Sequence, residues 1–101
     1  MLIYNITFLV SDPVADQWLK WIHDTHIPDM VASGYFTEPQ LAKVLNDQGQ
    51  DGTSYSVQYH VADRQELDAW RRKFGSTMKR NCASLFGEDV LLFTTVLELI
   101  K

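Results

Sequence analysis

The sequence predicts an α+β domain in which two strand–helix units flank a central hairpin, and three observations predict it. Four segments carry the alternating or fully apolar patterns of strands. Two segments repeat apolar residues at helical spacing, and each follows a strand. A polar stretch with two glycines, Asn46-Asp47-Gln48-Gly49-Gln50-Asp51-Gly52, separates the two middle strands and reads as a hairpin connection.

The first strand runs from Met1 to Val10. Leu2, Tyr4, Ile6, Phe8 and Val10 share one face; Ile3, Asn5, Thr7 and Leu9 share the other. Both faces are substantially apolar, as in a central strand covered on each side. Ser11-Asp12-Pro13 then starts a helix, with Asp12 placed to cap it and Pro13 at the first helical position. Val14, Trp18, Trp21, Ile22 and Thr25 form its inner stripe, and Asp16, Gln17, Lys20 and Asp24 its outer one. Pro28 has no backbone N–H and disfavours helical geometry at Ile27, so a kink or break is expected within His26-Ile27-Pro28-Asp29. Gly34 suits a left-handed cap.

Tyr35 to Leu45 reads as a strand interrupted by Pro39, which belongs at an edge or a bulge. Thr53 to Val61 alternates Tyr55, Val57, Tyr59 and Val61 against Ser54, Ser56, Gln58 and His60. Asp63-Arg64-Gln65-Glu66 is a capping-box pattern. It opens a second helix with the stripe Leu67, Trp70, Phe74, Met78 and then Cys82 or Leu85, in which Gly75 marks a bend and Phe86-Gly87 the end. Val90 to Ile100 is the last strand.

The order β-α-β-β-α-β is the split βαβ, ferredoxin-like arrangement. Right-handed crossovers put both helices on the same face of a four-stranded antiparallel sheet. The other face, with Ile3, Asn5, Thr7, Leu9, Ser56, Gln58 and His60, is then left bare. On the last strand both alternating sets are largely apolar, Leu91, Phe93, Thr95, Leu97 and Leu99 as well as Val90, Leu92, Thr94 and Val96. A patch of that kind predicts a homodimer that pairs two sheets.

The bulk properties narrow the function classes. The 101 residues make a single domain, 1–101, with a 46% hydrophobic share that is too rich for disorder. A net charge of −4 with scattered lysines and arginines argues against a nucleic-acid surface. Cys82 is the only cysteine, so no internal disulfide forms and a reducing compartment is expected. No apolar run approaches a membrane span, and the strand-like N-terminus lacks a secretory pattern, which predicts a cytoplasmic protein with no membrane partner.

Several segments together resemble a small bacterial family of unknown function. They are Tyr4-Asn5, the Trp18…Trp21 pair, His26-Ile27-Pro28-Asp29, Gly34-Tyr35-Phe36-Thr37, Tyr55…Gln58-Tyr59 and Phe86-Gly87…Phe93. That family is similar to the dimeric α/β-barrel superfamily, which includes cofactor-free antibiotic-biosynthesis monooxygenases, muconolactone-isomerase-like proteins and EthD-like proteins. Thr94 stands where the family often carries an arginine, so no role of that arginine carries over. The resemblance implies a fold and a dimer, and no single activity.

His26 is the candidate catalytic residue, as a proton-transfer or substrate-orienting group with an ordinary pKa of roughly 6.5. His23 and His26 fall three apart, as metal ligands on a helix do, with Asp29 or His60 as the only possible supplements. A capping or polar role with His23 exposed fits them better, and neither metal nor cofactor is expected. Trp21, Tyr4 and Tyr59 read both as core aromatics and as walls of a cavity between helices and sheet. Asn5 and Gln58, polar on central strands, need partners from across the sheet, from a second subunit or from a substrate. Two functions follow: a dimeric binder of a hydrophobic or aromatic metabolite, extending to a cofactor-free monooxygenase- or isomerase-like enzyme, or a non-enzymatic dimeric assembly module.

Overall fold

The computed structural model describes residues 1–45 and 52–100. Four strands, β1 (Leu2–Val10), β2 (Phe36–Lys43), β3 (Thr53–Val61) and β4 (Val90–Glu98), form one antiparallel sheet in the order β2-β3-β1-β4. The fold is ferredoxin-like, as the element order predicts. Most of the expected hairpin connection, residues 46–51, lies outside the described residues; Gly52 stands at the entry to β3.

Pairing is unbroken between β1 and both neighbours, with Asn5 opposite Gln58 on one side and Thr95 on the other. Strand β2 lies at an edge, and its register shifts between Thr37 and Gln40. Glu38 there has a positive φ of 54°, so Glu38 and Pro39 form the bulge that the proline demands.

The helical layer consists of two rods, each interrupted by a wide π turn. The first passes from a 3-10 turn (Asp12–Val14) into α1 (Ala15–Trp21), a π segment (Ile22–His26) and α2 (Ile27–Ala32). The chain is therefore not broken at Pro28. The Ile27 N–H donates five residues back to the Ile22 carbonyl, and Pro28, immediately after, has no N–H to place. Widening the turn is how the helix absorbs a ring that an ordinary turn would reject. Asp12 is not the cap either: Ser11 holds that position and no side chain bonds to the helix start. Gly34, at φ 86°, follows the end of α2 in the left-handed conformation.

The second rod is α3 (Arg64–Trp70), a π segment (Arg71–Gly75) and α4 (Ser76–Phe86). Asp63 caps it by accepting from the Glu66 N–H at 2.9 Å. Both rods pack on the Tyr4, Ile6, Phe8 and Val10 face of β1. Phe8 meets Trp18 at 5.1 Å between ring centroids, and Tyr4 meets Trp70 at 5.5 Å. Trp18, Ile22, Leu67, Trp70 and Cys82 are buried there with Val57, Tyr59 and Val61 of β3. Of the expected stripe, Phe74 and Leu85 are the exceptions, 42% and 60% exposed.

The opposite face carries no helix. Leu91 and Phe93 of β4 are 58% and 63% exposed, and Leu97 is exposed too. Asn5 occupies the centre of this face. It accepts a short hydrogen bond from the Ser56 hydroxyl, while its amide donates to Thr7 Oγ1 at 3.0 Å. No helix among the described residues is long and apolar enough to cross a membrane.

Candidate functional site

The two π turns flank a cleft of about 370 Å³ between the helical rods. Trp21, Thr25, His26, Asp29, Met30, Ala32 and Ser33 form one wall; Trp70, Phe74, Thr77, Met78 and Asn81 form the other. No strand residue lines it. The expected cavity between helices and sheet is thus a cleft between the helices, because the aromatic side chains beneath fill the space over the sheet.

His26 sits at the inner wall and is only 4% exposed. Its imidazole is surrounded by rings, with Trp21 at 5.1 Å, Phe8 at 5.9 Å and Tyr59 at 6.2 Å between centroids. Its Nε2 atom has no hydrogen-bond partner. Burial without a compensating charge lowers its pKa to about 4. At neutral pH the ring is therefore uncharged and presents one donor and one acceptor nitrogen. The Tyr59 hydroxyl and Trp18 Nε1 are also buried and unpartnered, and burial raises the Tyr59 pKa. A buried polar group left unsatisfied costs roughly 1–3 kcal/mol.

The π turn explains why His26 and His23 part company. In an ordinary helix residues three apart share a face. The wider turn over Ile22–His26 rotates them away from each other, so His23 is exposed while His26 is buried. Asp29 lies exposed on the rim of the cleft. No group of three or more His, Cys, Asp or Glu side chains converges among the described residues.

The remaining candidates divide by sheet face. Tyr59 lies beneath His26 on the helix side. Tyr4 is on the same side, stacked on Phe36 at 5.6 Å and covered by the Arg71 guanidinium at 5.6 Å. Asn5 and Gln58 pair across β1 and β3 on the open face, so the sheet itself separates them from His26. The structure thus brings Trp21, His26 and Tyr59 together and leaves Tyr4, His23, Asn5 and Gln58 outside. Asp29, Trp70, Phe74 and Met78 are cleft residues outside the candidate set, although the sequence raised Asp29 as a possible metal ligand and Trp70 as a possible wall of an aromatic pocket. The helical stripe of the second rod contained three of them, but only the packing of rod against rod reveals a shared space.

Residues 1–100 match the family model Domain of unknown function (DUF4286). The chain belongs to that family. No curated protein is similar to it in sequence. Among solved structures it is similar to an ethyl tert-butyl ether D (EthD) family protein from Bacillus halodurans, with 14% identity, a TM-score of 0.72 and 99% of this chain covering 100% of that one. It is similar to a candidate antibiotic biosynthesis monooxygenase from Deinococcus radiodurans, at 16% identity, TM-score 0.69, covering 100% and 94% of the two chains. A third is a dimeric ferredoxin-like protein from an uncultured marine organism, at 13% identity, TM-score 0.67, covering 99% and 95%. At such identities the likeness establishes the fold of this family member and nothing of its chemistry.

Proposed function

We propose that this DUF4286 protein is a homodimer, joined through its open sheet face, that binds a small apolar or aromatic metabolite in the cleft between its helices. The observation that carries the reading is His26: a buried, uncharged imidazole with an unpartnered nitrogen, set in the wall of a largely apolar cleft. The cleft falls within the roughly 300–1,000 Å³ of small-molecule sites, which are mostly apolar with a few polar groups that orient the ligand. A ligand hydrogen bond to His26 would remove the cost of leaving it unsatisfied. The lone cysteine supports a cytoplasmic setting.

A binding role fits His26 better than a catalytic one. An effective general base has a pKa near the working pH, and burial has moved this one to about 4. It accepts a hydrogen bond at neutral pH and removes protons poorly. The thermal shift of wild-type protein against a metabolite library tests the reading, since a ligand stabilises by RT ln(1 + [L]/Kd). Compounds that raise the wild-type melting temperature are expected to leave His26→Gln unshifted. A library that moves neither protein, or both equally, would overturn it.

A further inference from the structure

The charges around the cleft narrow the ligand further. Among the described residues its lining contains one carboxylate, Asp29, and no lysine or arginine. Three cations close to it in sequence are held by protein groups. Lys73 donates to the Tyr35 hydroxyl at 2.9 Å, Arg71 lies over Tyr4 and 3.8 Å from Asp68, and Arg80 donates to the hydroxyl of Thr77, a lining residue, at 3.4 Å without itself lining the cleft. The other polar lining groups add no positive charge. His26 is neutral with a free acceptor or donor nitrogen, and the Ser33 hydroxyl donates to the Met30 carbonyl at 2.6 Å while its oxygen accepts from the Tyr35 N–H at 3.4 Å. The apolar lining is aromatic and polarisable: Trp21, Trp70, Phe74, Met30 and Met78. Aromatic faces attract cations, and an anion entering here would meet a carboxylate with no counter-charge.

We infer that the cleft takes an amine, an ammonium group on an aromatic or alkyl body, with the charge held by Asp29 and the aromatic rings and the body seated against Met30 and Met78. The assignment rests on the cleft being a ligand site and adds the class of ligand.

Three probes of similar size separate the possibilities: 2-phenylethylamine, 2-phenylethanol and 3-phenylpropionate, titrated by quenching of the tryptophan emission to which Trp21 and Trp70 contribute. The amine is expected to bind about tenfold more tightly than the alcohol, the size of a rim ion pair and a cation–π contact together, and the carboxylate more weakly than either. Asp29→Asn is expected to cut the amine's preference over the alcohol to the few-fold that the aromatic rings supply, while leaving the alcohol unchanged, which also shows that the variant folds. If the alcohol or the carboxylate binds as well as the amine, or if Asp29→Asn retains the full tenfold preference, the amine assignment falls and the cleft remains a ligand site. If none of the three quenches the emission, both readings fall.

Discussion

At the scale of single residues, His26 is where stability and site meet. Its imidazole is neutral in the folded protein down to a pKa of about 4, whereas in the unfolded chain it takes a proton near pH 6.5. Between those values the unfolded state binds more protons, so stability rises with pH. The contribution is fully present above about pH 6.5 and is lost as the pH falls through about 4, on the order of 3 kcal/mol in all. His26→Gln is expected to flatten the acid limb of a denaturation curve measured over that window. An unchanged limb would show that the imidazole is readily hydrated. Cys82 behaves in the opposite direction: burial pushes its thiol up to about 11, so it is expected to be inert rather than a nucleophile. The type of each residue was legible in the sequence. The exposure of His23 was expected; the burial of His26 among rings was not, because the π turn between them responds to Pro28 and to packing, and helical spacing alone places them together.

At the scale of elements, most segments form where their local patterns place them. The strands needed only trimming, with the last ending at Glu98 rather than Ile100 and the second running over Phe36–Lys43. The helix stops at Gly34 and Gly87 follow from glycine's access to positive φ, 86° and 56° here. Gly52 is a case that only the structure could supply. Its φ is 114°, and a Cβ there would come 2.4 Å from the Val10 carbonyl oxygen, against rigid backbone at the end of β1. Gly52→Ala is expected to cost roughly 1–3 kcal/mol in a denaturant titration, through strain and the forced separation of β1 from the start of β3. A variant as stable as wild type would mean that the entry to β3 adjusts freely.

At the scale of the whole molecule, the two faces of the sheet are unequal. One is covered by both helical rods. The other presents exposed Leu91, Phe93 and Leu97 around the hydrogen-bonded Asn5, Thr7 and Ser56. A symmetric pair of such faces would enclose the apolar residues and bring the polar group to the middle, with roughly 2,000 Å² or more buried in total, as in obligate homodimers. Phe93→Asp is expected to yield monomers with an unchanged circular dichroism spectrum, because Phe93 contributes nothing to the helix-covered core. Light scattering at micromolar concentration reads the mass. A well-folded wild-type species with the mass of one chain would refute the dimer.

Periodicity by itself determined the order of elements and the face on which both helices lie. Each of these depends on which residues are apolar and on the fixed handedness of crossovers, and both are properties of the chain read locally. The tertiary structure alone decided where the site lies. A cleft is the space that two rods fail to fill, so Trp21 and Asp29 share it with Trp70 and Phe74 only after the sheet has set the rods side by side. The separation of Asn5 and Gln58 from His26, by contrast, follows from the alternation of the strands, which turns neighbours to opposite faces and leaves these two on the face away from the helices.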